Sequence, residues 1–295
     1  MNIQIIAQNF YNYSLHIKGY SPATIRRYKY VIEFYCRQAK LITIKDITIE
    51  NVRALFFYGR TERKWSSNTF HVFYKSLLVF FRWCIKEGMM THNPILQIEK
   101  PKLESRLPSK LTKAEAFRLL EIVYNYPYTH EFVRQRNYLI FSFFIFAGLR
   151  LHELLSLRYT DVDLTTMSLF INQGKGNKDR VVPINPVLSE RISRYKEYRN
   201  LLNKTCPEFF ASYPKNSGLT KAGLLHLLDK IRIAFGKKFS IHKLRHTFAT
   251  LMLEGGCDIY SLSQMMGHSD IKTTTIYLYA SAEHLRSQII KHPLH

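Results

Sequence analysis

The sequence predicts a mainly α-helical chain of two domains with a small β-hairpin or sheet in the second. Three observations carry this expectation. The 295 residues exceed what one core of ordinary size organises. Apolar residues recur at helical spacing along most of the chain, and the period switches to two only near residues 158–184. A charged stretch with two prolines, IEKPKLESRLPSK at 98–110, separates two apolar-rich regions. The expected layout is a helical domain over 1–97, a linker over 98–110 and a second domain over 111–295.

In the first domain, Ser21-Pro22 has the chemistry of a helix start, with proline suited to the first turn. Ile25, Tyr28, Ile32 and Tyr35 follow at helical spacing. Ser66-Ser67-Asn68 supplies a second cap. Phe70, Phe73, Tyr74, Leu77, Phe81 and Cys84 then form an apolar stripe that Gly88 closes. These aromatics read as core rather than as base-stacking platforms.

In the second domain a helix is expected from Lys113 and another from about Arg136 to Leu157. Ser168–Asn172 and Asp179–Ile184 read as paired strands. Gly174-Lys175-Gly176-Asn177-Lys178 between them gives a turn with a basic tip. Helical patterns return from Pro186. Ser240–Gly256 carries the stripe Leu244, Phe248, Leu251 and Met252, and ends on two glycines. Asp258 caps a short helix that Gly267 stops, and Ser269 or Asp270 caps a last one containing Tyr277.

Forty-three Lys and Arg against twenty-two Asp and Glu give a net charge of +21. Of this, +9 lies in residues 1–100 and +12 in the remainder, so the excess is not confined to a tail. Such a balance points to a polyanionic partner, with nucleic acid the usual one. Four scattered cysteines, Cys36, Cys84, Cys206 and Cys257, lack metal-type spacing and read as buried thiols in a reducing cytosol. The N-terminus has no signal-peptide pattern. The apolar run Tyr138–Leu149 is shorter than the ~18 residues a membrane span needs.

Several fragments have chemistry to offer. His242 and Arg245, three apart, share a neighbouring helix face and can grip one phosphate, Arg as a fork of donors and His as a proton carrier. HxxR alone is more often a solvated face, and His246, one turn from His242, is set aside as a decoy. Gly148-Leu149-Arg150 closes an apolar run, and Glu153 is placed to orient Arg150, unless the two form an ordinary surface ion pair. Residues 258–279 have the outline of a helix-turn-helix, in which Tyr277 would be core. Tyr277 and Tyr279 point to nearly opposite helix faces, so only one can share a site with His268. Position alone does not say which.

Taken in order, AGLRLHELLSL, NQGKGNKDRVVPI, HKLRHTFAT and MMGHSDIKTTTIY closely resemble the catalytic domain of tyrosine recombinases, the phage integrase and Xer family. SPATIRRY and SSNTFHVFYKSLLVFFRW resemble that family's SAM-like core-binding domain. The resemblance covers nearly the whole chain and is closest to Xer-like and simple transposon-type members. It implies a mixed α/β catalytic domain and an enzyme that cuts and rejoins duplex DNA through a covalent 3′-phosphotyrosyl bond. It implies Arg150 and Arg245 on the scissile phosphate, Lys175 as general acid (with Lys178 the nearby alternative), His242 as base toward the tyrosine, and His268 as a phosphate donor. Tyr277 rather than Tyr279 is then the nucleophile and Glu153 a support. No cofactor or metal is implied. The implied partners are a specific duplex DNA site, further copies in a synaptic tetramer, and in some settings a second recombinase or accessory protein. Two departures, Ile241 where proline is common and Met266 where leucine is common, remove no catalytic group. A non-enzymatic helix-turn-helix regulator is the competing reading, and a tyrosine-dependent topoisomerase or telomere resolvase shares the chemistry with a different outcome.

Overall fold

The computed structural model describes residues 1–103, 109–172, 179–268 and 270–280. Two compact units divide at Ser105/Arg106.

The first unit is helical. Asn2 opens α1 (Ile3–Asn12) by accepting the Gln4 N–H at 2.8 Å. Ser21 caps α2 (Pro22–Gln38), with Pro22 at the first position, where its missing N–H is harmless. Thr48 and Asn51 form a capping box on α3 (Ile49–Thr61), and Ser66 caps α4 (Ser67–Lys86). The stripe predicted for α4 is buried at every position from Phe70 to Cys84. It packs with Phe10, Tyr28, Ile32 and Tyr35 into one aromatic-rich core. Gly59 is required by sterics: a Cβ there would lie 2.2 Å from the Trp65 ring, which stacks on Phe73.

In the second unit, Thr112 and Glu115 cap α5 (Lys113–Asn125) reciprocally. The helix α6 (Glu131–Phe146) is buried over most of its length, and its second half, Tyr138–Phe146, is apolar apart from Ser142, as suits a central helix. Leu139, Ile140, Phe141, Phe143 and Phe144 are fully buried. Around it pack α5, α8 (Pro186–Leu201) and α10 (Ile241–Glu254). The helix expected over 136–157 is in fact two, α6 and the short α7 (Leu151–Ser156). They are broken at Gly148, whose φ of +60° only glycine adopts freely. The apolar pattern runs across this break because Ala147 and Leu149 are buried in the connection.

The hairpin strands form, and a short strand joins them. β1 (Val162–Asp163), β2 (Ser168–Ile171) and β3 (Arg180–Pro183) pair antiparallel in the order β1-β2-β3. Leu169 lies opposite Val182, both buried, while Phe170 and Val181 face outward. The predicted basic tip, Gly174 to Lys178, lies outside the described residues. The region after Pro186 is not all helix: residues 205–220 hold bridges and turns before α9 (Lys221–Phe235).

Asp258 caps α11 (Ile259–Met266), which ends on Gly267 at φ +62°, and α12 (Lys272–Ala280) follows. Phe248, Leu253, Leu262, Met266 and Tyr277 make a separate small core between α10, α11 and α12. Of the four cysteines, only Cys84 and Cys206 are buried. Cys36 and Cys257 are partly exposed, which corrects the expectation of four buried thiols. Among the described residues no helix is long and apolar enough to cross a membrane.

Gly148 offers a direct test of this packing. An added Cβ would sit 2.3 Å from the Phe248 ring on a backbone that disfavours L side chains. Gly148→Ala is expected to cost roughly 2–4 kcal/mol of stability. Urea unfolding of the pure protein checks this, and a midpoint equal to wild type would contradict the packing.

Candidate active site

The site forms where the α6–α7 junction, β3, α10 and the α11–α12 connection meet. Its centre is Glu153, whose side chain is fully buried. One carboxylate oxygen accepts from Arg150 Nη1 at 2.7 Å and Arg180 Nη1 at 2.8 Å. The other accepts from the Arg150 backbone N–H at 2.7 Å and Arg180 Nη2 at 2.9 Å. Burial pushes this carboxyl up, but the hydrogen bonds and charge of Arg180, followed by the backbone and side-chain hydrogen bonds of Arg150, overcome it and bring it down to about 2.

Helix α11 ends against this cluster. Its last carbonyls have no partner inside the helix, and they carry the negative end of its dipole. Three arginines meet three consecutive carbonyls. Arg180 Nε donates to Met265 O at 2.8 Å, Arg245 Nη2 to Met266 O, and Arg150 Nη2 to Gly267 O at 2.9 Å. Arg245 also donates to Gly148 O, so the glycine that breaks the α6–α7 run anchors a second arginine of the site. Arg245 is buried, and burial together with the charge of Arg150 brings its guanidinium down to about 9. Three guanidiniums therefore surround one carboxylate. That positive excess, held on carbonyls, suits an incoming anion.

The histidines and tyrosine sit beside it. His268 Nε2 lies 3.3 Å from Arg245 Nη2, and its Nδ1 lies 2.7 Å from Thr274 Oγ1. Arginine can only donate, so Nε2 accepts and the ring proton sits on Nδ1, donated to Thr274. Burial and the charges of Arg245, Arg150 and Arg180 bring His268 down to about 4, so the ring is neutral. The Tyr277 ring is buried and nearly parallel to that of His268, at 12° with centroids 6.5 Å apart. Burial raises the Tyr277 hydroxyl above its ordinary value, against the opposing charges of Arg245 and Arg150.

Of the residues singled out from sequence, the structure brings together Arg150, Glu153, Arg245, His268 and Tyr277. Lys175 and Lys178 lie outside the described residues, as does the side chain of Tyr279. His242, expected to face the tyrosine hydroxyl, is exposed on α10. The hydroxyl is instead hydrogen-bonded to Nδ1 of His246 at 2.8 Å. Three contributors were missed: Arg180, His246 and Thr274. Two had signals. Arg180 stands in the inward register of β3, two residues from buried Val182. His246 lies three and seven residues before buried Ala249 and Leu253, on the buried face of α10.

The comparisons agree with this architecture over nearly the full chain. The phage integrase family model matches residues 109–284, and the phage integrase N-terminal SAM-like domain model matches residues 6–89. The chain belongs to the phage integrase family. It is 33% identical to the tyrosine recombinase XerA of Thermococcus onnurineus, over 94% of this chain and 91% of the relative. It is 30% identical to the tyrosine recombinase XerC of Anoxybacillus flavithermus, over 97% and 96% of the two chains. Among solved structures, the XerH site-specific recombinase in a post-cleavage complex with its difH substrate superposes with a TM-score of 0.71. That match has 24% identity over 90% of this chain and 78% of the other. The Tn1549 transposon integrase gives a TM-score of 0.74 at 18% identity, over 97% and 99%. This family member is an enzyme, a site-specific recombinase of the tyrosine type.

Glu153 makes the recombinase sensitive to acid in a defined window. Its folded value of about 2 lies below the ordinary 4.5, so its pairing stabilises the fold fully above that ordinary value. The contribution is lost as pH falls from about 4.5 toward 2. Glu153→Gln is expected to be less stable at neutral pH and to show a flatter loss of stability across this window, measured by urea unfolding at stepped pH. Arg180→Met leaves the carboxylate with one partner fewer and is expected to cost roughly 3–5 kcal/mol at neutral pH.

Proposed function

We propose that the recombinase binds duplex DNA at a specific site and cuts each strand with Tyr277. The observation that carries this reading is the convergence of Tyr277, His268, Arg245 and Arg150 on one site with more positive than negative charge. A phosphodiester brings one negative charge, and its pentavalent transition state gains more. Arg150 and Arg245 keep their carbonyl anchors and offer their remaining N–H groups to the non-bridging oxygens, and donors so fixed need little reorganisation. His268 donates a further hydrogen bond to the phosphate. Thr274 permits this, because its hydroxyl donates to Nδ1 once the ring proton is on Nε2. His242 stands with Arg245 on the DNA-facing side of α10, and Glu153 supports Arg150. Lys175, assigned by its place in the hairpin motif, protonates the departing 5′ oxygen.

The product is a 3′-phosphotyrosyl bond that stores the energy of the phosphodiester, so rejoining needs no external energy source. Exchange between two duplexes opens four strands. One nucleophile per chain therefore calls for four copies, a synaptic tetramer. Residues 1–97 act as the core-binding domain, 98–110 as the connection and 111–295 as the catalytic domain. The charge of +21 makes phosphate contacts the main source of affinity, which falls as salt rises. The work is assigned to the cytoplasm. The helix-turn-helix regulator is less well supported. Its supposed turn is the α11 terminus that engages three arginines, an arrangement with no use in base reading.

The test is a covalent trap on nicked duplexes taken from the DNA beside the gene, resolved on denaturing gels. A labelled, protease-sensitive adduct is expected with wild type and none with Tyr277→Phe. Arg150→Ala and Arg245→Ala should each slow adduct formation by roughly 100- to 1,000-fold. An adduct that survives Tyr277→Phe and vanishes in Tyr279→Phe would move the nucleophile.

A further inference from the structure

We propose that His246 takes the proton from the Tyr277 hydroxyl as the tyrosine oxygen attacks phosphorus, and returns it when the strand is rejoined. This rests on the reading of Tyr277 as nucleophile. A phenol is a poor nucleophile until its proton has somewhere to go. The acceptor must be a lone pair within hydrogen-bond reach of that oxygen. His246 Nδ1 is 2.8 Å from the hydroxyl, and the two rings lie 5.4 Å apart at 52°.

The neighbouring groups narrow the choice. His268 is also against the tyrosine ring, but both its nitrogens are engaged, one by Arg245 and the other by Thr274. His242 is exposed, on the preceding turn of the same helix. Arg245, beside His246 on α10, can only donate. The groups facing His246 are thus His242 and Arg245 on its own helix, Tyr277 on α12 and His268 before it. Burial comes first, then the charges of His242 and Arg245, in holding the imidazole below its ordinary value. It is therefore neutral at physiological pH, and in the tautomer that carries its proton on Nε2 the Nδ1 lone pair is directed at the hydroxyl.

The step balances within the site. The tyrosine O–H bond breaks as an N–H bond forms on Nδ1. The tyrosine oxygen bonds to phosphorus as the bond from phosphorus to the 5′ oxygen breaks, and that oxygen takes a proton from the general acid. The imidazolium so formed beside Arg245 is offset by the negative charge growing on the phosphate. In rejoining, each transfer runs backwards and His246 reprotonates the departing tyrosine.

The experiment is the initial rate of covalent adduct formation on the nicked duplexes, from pH 5 to 9. It compares wild type with His246→Ala and His246→Asn. Asparagine keeps an acceptor near the Nδ1 position but does not take up a proton. Wild type should lose rate only below about pH 6.5, where a histidine so lowered becomes protonated. Both variants should be slower by roughly 100-fold or more at neutral pH, with a rate that keeps rising with pH. Added imidazole should restore part of the rate to His246→Ala in proportion to its concentration. Wild-type rate and profile in His246→Asn would overturn the proposal, because the bond would then only position the hydroxyl. A faster His246→Ala would overturn it too, because His246 would then be holding the tyrosine back. An adduct formed by Tyr277→Phe would instead sink the nucleophile reading, so the two failures are distinguishable.

Discussion

The site depends on how helix α11 ends. Met265, Met266 and Gly267 present consecutive carbonyls, and Arg180, Arg245 and Arg150 each take one. Three guanidiniums this close repel one another, and burying them removes the water that would screen them. Two things make the arrangement stable. The helix terminus supplies oriented negative ends, and Glu153 accepts four hydrogen bonds from two of the arginines. Gly267 completes it. Its left-handed conformation turns the chain, and a Cβ there would lie 2.9 Å from Arg180 Cδ.

This constraint links distant parts of the sequence to one chemical task. The α6–α7 break gives Arg150 its place, and the Gly148 carbonyl at that break holds Arg245. Strand β3 enters through Arg180, which ties the sheet to the same carboxylate. The residual positive charge is fixed before any phosphate arrives, which is what transition-state stabilisation by prearranged donors requires. The tyrosine side is built differently. Its ring belongs to the small core with Phe248 and Met266, while its hydroxyl leaves that core for a histidine.

Much of this was legible in the sequence, and the unread parts have physical reasons. Helix starts at Ser21, Ser66 and Asp258 were readable because capping chemistry is local. The order of the four motif segments carried the family and five of the site residues. The break at Gly148 was blurred because Ala147 and Leu149 stay apolar and buried through the turn, so periodicity alone runs on. Arg180 stood out only as part of a strand, since alternation marks a face without saying what lies across it. His246 was discounted because position on one helix cannot reveal where a second helix will pack. Only the seating of α12 decides that its tyrosine meets this residue and not His242. Thr274 was hidden by the same ignorance of how α12 is turned.

The central claim is that Arg150 and Arg245 act by neutralising the charge of the scissile phosphate. Replacing that phosphate with a methylphosphonate removes one charged oxygen and isolates the claim. The measurement is the rate of tyrosyl adduct formation by wild type, Arg150→Ala and Arg245→Ala on duplexes with either linkage. If the account is right, the large losses caused by the arginine substitutions on phosphate shrink markedly on methylphosphonate. Equal losses on both linkages would mean that the arginines shape the site without meeting the charge, and the account would fail.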